Sequence, residues 1–337
     1  MELLDIFHEK AYEQRRPVTC IIELLTQCNL KCKHCYIPDT AQYYLDKQTV
    51  FDILTQLREM GVLTVYFTGG EIFIRKDLLE IISWARKLHM RVILMSNITL
   101  LSEELVKKIA DMYICEFSVS LYSMDSSVHD EITGKSGSWN ETMEALELIR
   151  KYDIPVRIKT PLMIDNAFAY KDIYDFCQDK GYAFLSSPVI FAKSNGDKET
   201  LKLRINKEDL ITIVKDLDEI VTSNIKRNES KPEACPTLRY SFSIDAKGDV
   251  FPCNSLYMCV GNVKNSRLRD IWYNSELLFK IQNITKSDLQ PCKECTVKEH
   301  CDRCPGLALL EDDDIYGCSS VAREIALVRY LERKVLK

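Results

Sequence analysis

The sequence predicts an α/β fold, a parallel sheet covered by helices, and two observations carry that prediction. From Val18 to Ile190, short β-branched or aromatic runs alternate with longer segments of helical period. The strand runs are apolar, as strands covered on both faces must be. At 337 residues the chain has room for one large domain and a small one, and it buries roughly three quarters of its unfolded surface without needing disulfides.

Residues 1–17, MELLDIFHEKAYEQRRP, read as a short charged helix. The strand candidates follow in order: VTCIIELL, LTVYF, RVILMS, CEFSVSL, VRIKTPL and YAFLSSPVI. Between them lie QTVFDILTQLREM, LLEIISWARKL, EELVKKIADM, NETMEALELIRKY and KDIYDFCQDK, with Gly61 and Gly181 placed as helix stops. Six β-α units suit a doubly wound sheet and a partial barrel equally well. Ser194-Asn195-Gly196-Asp197 is a turn cluster where the pattern stops, and Lys207 to Asn228 reads as one charged amphipathic helix. This gives a barrel region at 18–195, a bridge at 196–231 and a cysteine-rich unit at 232–337.

The segment after the first strand is Thr26-Gln-Cys28-Asn-Leu-Lys-Cys32-Lys-His-Cys35-Tyr36, with cysteines spaced C-x3-C-x2-C. Three thiolates on one tight loop can hold three irons of a four-iron cubane and leave the fourth open. A zinc loop is the competing reading, but structural zinc takes four ligands, and His34 inside the C-x2-C step is awkwardly placed to be the fourth. After the second strand comes Thr68-Gly69-Gly70-Glu71, whose glycines allow a sharp turn and close approach to a ligand. Taken alone, it is an ordinary βα loop.

The cysteine loop with its following aromatic resembles the radical S-adenosylmethionine (SAM) enzymes. The resemblance implies a partial (β/α)6 TIM-like barrel with its site at the C-terminal strand ends. It implies a [4Fe-4S] cluster on Cys28, Cys32 and Cys35 whose open iron chelates SAM. One electron then cleaves SAM to methionine and a 5′-deoxyadenosyl radical, which takes hydrogen from the substrate. Gly69, Gly70 and Glu71 match the family's G-G-E, which binds the SAM amino group. Tyr36, Asn97, Ser120 and Lys159 are further candidates for SAM contact. For Asn97 and Ser120 a cap or turn role is the alternative, and Lys159 faces either a SAM carboxylate or water. His129-Asp130 is assigned to loop structure, because adjacent residues seldom face one point.

Eight of the fourteen cysteines fall between Cys235 and Cys318. Asp245-Ala-Lys-Gly248-Asp249 is a hairpin turn, so Cys253 leaves the second strand of a small two-stranded unit. The run Cys292, Cys295, Cys301, Cys304 by itself suits a zinc ribbon as well as an iron-sulfur site. The whole arrangement, C-x12-G-x4-C, then C-x2-C-x5-C and a closing cysteine, resembles the SPASM extension, which carries two auxiliary iron-sulfur clusters. Carried across, Cys235, Cys253 and Cys304 serve the first and Cys292, Cys295, Cys301 and Cys318 the second. Cys301 and Cys304 are separated by two residues where the family has three, so the partition stays open. Cys259 is a fourth ligand to the first cluster or a free thiol. Cys20, Cys115 and Cys177 read as structural thiols.

Net charge is −5 with no long basic run, which argues against nucleic acid. No apolar stretch approaches the ~20 residues of a membrane span, and no signal pattern opens the chain. The cysteines are therefore expected to be reduced, in a cytoplasmic protein. Five scattered histidines weaken a zinc-hydrolase reading. Ser120-Leu-Tyr-Ser123, Lys159 to Met163 and Cys304-Pro-Gly306 resemble maturases of ribosomally made peptides. That resemblance implies a peptide or protein substrate, an external low-potential electron donor, and a thioether or carbon-carbon crosslink, or epimerisation. Formylglycine formation of the sulfatase-maturase type is the alternative reaction, and a non-catalytic zinc or iron-sulfur scaffold the alternative class. Fewer than twenty residues precede the first strand, so a leader peptide is expected to be held by a separate protein or by the core fold.

Overall fold

The structure, a computed structural model, describes residues 9–38, 40–221 and 232–335. Residues 1–8 of the predicted N-terminal helix and 222–231 of the predicted bridge lie outside them; residues 9–13 are helical.

The six predicted strands form in order: β1 (Thr19–Glu23), β2 (Thr64–Thr68), β3 (Arg91–Ser96), β4 (Glu116–Ser120), β5 (Val156–Pro161) and β6 (Ala183–Ser187). Each pairs in parallel with the next. The intervening helices are α1 (Lys47–Met60), α2 (Leu78–Lys87), α3 (Glu103–Ala110), α4 (Ser126–Thr133), α5 (Ser138–Lys151) and α6 (Tyr170–Lys180). The units form a partial barrel. Gly61 (φ +88°) and Gly181 (φ +70°) end α1 and α6 in the left-handed region. His129 and Asp130 lie on α4 rather than in a loop.

Strand alternation divides the chemistry. Cys20, Ile22, Val65, Phe67, Phe117, Val119 and Ile158 pack into the main apolar core with the helices. Their alternate neighbours, Glu23, Thr68, Ser118, Ser120 and Lys159, share the opposite, inner face. That face is polar near the C-terminal strand ends.

After the turn at 194–197 and α7 (Lys207–Val221) come β7 (Ser241–Ile244), β8 (Asp249–Phe251) and β9 (Gly261–Asn262). The predicted hairpin is present, but it is no separate two-stranded unit. β7 pairs in parallel with β1, from Thr19 opposite Ser241 to Ile22 opposite Ile244. Among the described residues the sheet therefore has nine strands, ordered β6-β5-β4-β3-β2-β1-β7-β8-β9. The first strand would otherwise present a row of unpaired backbone groups, and β7 satisfies them.

The rest comprises α8 (Leu268–Asn274), α9 (Glu276–Gln282), α10 (Pro305–Asp312) and α11 (Ser320–Val335). Trp272 of α8, 1% exposed, donates to the Arg15 carbonyl at 2.8 Å, and Leu268 N donates to Gln56 of α1 at 2.8 Å. The C-terminal part thereby shares the barrel's core. No helix among the described residues is long and apolar enough to cross a membrane.

Candidate functional site

The three-cysteine loop leaves β1 at its C-terminal end and is held on two sides. Lys31 N and Lys33 N donate to Thr133 O and Ile132 O at the end of α4, both at 2.9 Å. Opposite, Gly70 N donates to Leu25 O (2.9 Å) and Glu71 N to Gln27 O (2.8 Å). A Cβ on Gly70 would stand 2.1 Å from Gln27 O, so only glycine permits this approach.

Cys28, Cys32 and Cys35 face one another. Burial first, then the charges of Cys35 and Cys28, push the Cys32 thiol up to about 12; Cys28 is raised by burial, Glu71 and Cys35. Thiolates crowded together without a cation are unfavourable, and a metal relieves this by replacing their protons. Three soft donors on a loop fit an iron-sulfur cubane. His34 is neutral, its pKa lowered to about 4 by burial; its ring lies 5.0 Å from Tyr122 and its Nδ1 has no partner in the described residues.

Other predicted residues surround this loop. Asn97 Nδ2 donates to Asn29 Oδ1 (3.1 Å) and approaches Cys28 Sγ (3.8 Å). Ser120 lies beside Tyr122, whose hydroxyl approaches Cys32 Sγ at 3.9 Å. Lys159 stands opposite Ser120 in register, and burial followed by the charge of Arg157 lowers its pKa. Ser118 Oγ, buried on the same strand face, lacks a partner among the described residues. Glu71 follows the Gly-Gly turn. It is fully buried, and its carboxylate accepts from Phe73 N (3.0 Å), Ser96 Oγ (2.8 Å) and Asn97 N (2.9 Å). It braces the ends of β2 and β3, and the Gly-Gly backbone is what meets the loop.

Tyr36 donates to Glu23 Oε1 at 2.6 Å. Burial raises the Glu23 pKa to about 7, opposed by the Tyr36 hydrogen bond and supported by the Asp245 charge. Tyr257, half-buried, stands near Glu23, Cys253, Cys35 and Asp245. These residues span from the three-cysteine loop to the β7–β8 hairpin. Glu23 is absent from the predicted site, although an acid closing an apolar strand run was a signal for it.

The second cysteine field separates into two neighbourhoods. Burial and the charges of Cys253 and Cys304 push Cys235 up to about 12. Cys301 rises to about 11 through burial and then Cys318, Cys292, Asp302 and Cys295. Cys235, Cys253 and Cys304 are thus neighbours, as are Cys292, Cys295, Cys301 and Cys318. Cys259 lies in neither; its exposed thiol donates to Gly261 O (3.3 Å), and the neighbouring charge that shifts it is Asp249. Cys20 and Cys177 are buried as expected, whereas Cys115 is half-buried beside Arg91. His129 Nδ1 accepts from Tyr122 N (3.4 Å), while Asp130 accepts from Gly137 N and Trp139 N at the start of α5. Both act in local structure.

Comparison with known proteins agrees with this arrangement. The Radical SAM superfamily profile matches residues 22–177, and that of SPASM, an iron-sulfur cluster-binding domain, matches 235–296. The chain is 26% identical over 316 residues to the AdoMet-dependent heme synthase of Oleidesulfovibrio alaskensis, covering 84% of this chain and 81% of that protein. It is 24% identical over 323 residues to the PqqA peptide cyclase of Bradyrhizobium diazoefficiens, covering 88% and 84%. In fold it is similar to Streptococcus suis SuiB bound to the precursor peptide SuiA, with a TM-score of 0.73, 18% identity and coverage of 94% and 79%.

Proposed function

Because this chain is a radical SAM enzyme with a SPASM domain, we propose that it modifies a peptide, with Cys28, Cys32 and Cys35 holding the SAM-cleaving cluster. The observation that carries the site is the meeting of three thiols with the Gly69-Gly70 turn at the mouth of β1. Similarity to the PqqA peptide cyclase along most of the chain supports the peptide.

With its clusters and SAM bound, the site supplies a 5′-deoxyadenosyl radical that removes hydrogen from the substrate. The chain's own residues bind and orient. The Gly69-Gly70 backbone would receive the SAM amino group, Lys159 its carboxylate, and Asn97 and Ser120 the rest of the molecule beside Tyr36. Glu71 keeps Asn97 and the turn in place. The polar inner face between Glu23 and Lys159 then receives the peptide and orients it. Two sets of auxiliary thiols favour an oxidative outcome, a thioether or carbon-carbon crosslink, over epimerisation or formylglycine formation.

A second reading, action in heme formation, is favoured by the 26% identity to a heme synthase. One anaerobic experiment separates them. Reduced protein with SAM should release 5′-deoxyadenosine, and Cys32→Ala should abolish release. Coexpressed peptides encoded beside the gene should lose two hydrogens at a bond located by tandem mass spectrometry. Unchanged peptides, together with conversion of an iron tetrapyrrole to heme, would establish the second reading. Zinc in the sites without SAM cleavage would leave a scaffold.

A further inference from the structure

Arg303 stands between Cys301 and Cys304, in the short step where the sequence departs from the family spacing. A guanidinium carries its charge at all accessible pH values and has five donors in a rigid fork. Two arms of this fork are used. Nε donates to Gly317 O at 2.9 Å and Nη2 to Ile315 O, both carbonyls in the segment that leads to Cys318. The third arm, Nη1, is shielded from solvent and has no partner among the described residues.

Arg303 is half-buried, and a donor shielded from water needs an acceptor. In sequence Arg303 adjoins Cys301 and Cys304, and the two carbonyls that it bonds lie one and three residues before Cys318. Two of those three cysteines, Cys301 and Cys318, belong to the set of Cys292, Cys295, Cys301 and Cys318. A cluster held by four thiolates is net anionic and becomes more so on reduction, so a fixed cation with a free N–H favours the reduced form.

Resting on the ligand reading above, we infer that Arg303 donates its free Nη1–H to a sulfur of the auxiliary cluster on Cys292, Cys295, Cys301 and Cys318 and raises that cluster's reduction potential. The two carbonyl bonds aim the fork, and the third arm tunes the cluster. This suits the cluster to accept the electron that an oxidative crosslink leaves behind.

The test uses anaerobically reconstituted full-length protein carrying guanidine-15N arginine. Pulsed EPR of the reduced protein should show 15N coupling on an auxiliary cluster, and Arg303→Lys should remove it. Redox titration of Arg303→Met should move one auxiliary midpoint to lower potential and leave the other signals unchanged, with Arg303→Lys falling between. Auxiliary signals without 15N coupling, coupling that persists in Arg303→Lys, or identical midpoints in all three proteins would overturn the inference. If Arg303→Met fails to hold iron, the wild-type coupling and its loss in Arg303→Lys decide. Iron content sufficient for only one cluster would overturn the ligand reading itself, a result distinct from intact auxiliary signals lacking the coupling.

Discussion

Lys159 is a cation held on the inner face of the sheet, its charge disfavoured by burial and by Arg157. Such a residue gains most from an anionic ligand. If it receives the SAM carboxylate, Lys159→Met should weaken SAM binding by about 1.5–3 kcal/mol, the range for a hydrogen bond to a charged group, or roughly ten- to a hundredfold in Kd. Calorimetry on reconstituted protein measures this, and an unchanged Kd would mean that Lys159 faces water. Glu23 gives a prediction in pH. Its folded pKa of about 7 lies above the ordinary carboxylate value, so the folded state binds the extra proton. Its contribution to stability is fully present below about pH 4.3 and is lost as pH rises through 7. Glu23→Gln, which keeps the acceptor for Tyr36, should therefore gain on wild type by up to about 3 kcal/mol at pH 8, with a smaller gain at pH 6. Urea denaturation of metal-free protein at the two pH values reads the difference. Neither environment was legible beforehand: Lys159 was visible only as a polar end to a strand, and Glu23 only as an acid closing an apolar run. Burial on one particular face is set by strands that are distant in sequence.

Among the elements, the legible ones announce themselves locally. Six strands, their helices, the glycine stops and the β7–β8 turn all follow from period and turn chemistry within a few residues. The partner of β7 does not, since Thr19 and Ser241 meet across most of the chain. The cysteine motifs were readable because spacing is local, whereas the tie between Cys253 and the start of α10 is not. A Cβ on Gly306 would lie 2.1 Å from Ser255 O, so Gly306→Ala must push α10 away from the turn that carries Cys253. We expect that variant to lose iron and EPR signal from one auxiliary site while keeping SAM cleavage. Gly70→Ala should do the reverse. Its Cβ, 2.1 Å from Gln27 O, would shift the three-cysteine loop, and iron analysis should show the SAM-cleaving cluster depleted with auxiliary signals intact.

At the scale of the whole molecule, the C-terminal part completes the barrel rather than hanging from it. β7 covers the edge of β1, and Leu268, Ile271 and Trp272 belong to the main core. A chain ending at Lys231 would expose that edge and uncover the core surface that Leu268, Ile271 and Trp272 cover. Open apolar edges template association, so the truncated protein should elute as aggregate in size-exclusion chromatography with light scattering, where the full chain does not. A monodisperse fragment would show the barrel to be self-sufficient. The continuous sheet also bears on electron flow. The three-cysteine loop and the hairpin that leads to Cys253 grow from neighbouring strands joined rung by rung, with Tyr36, Glu23 and Tyr257 packed between them. Tunnelling falls steeply with separation, and a hydrogen-bonded ladder works as a ruler that neither stretches nor hinges. Charge leaving the substrate would cross a gap of fixed width at every turnover, whatever the surrounding loops are doing.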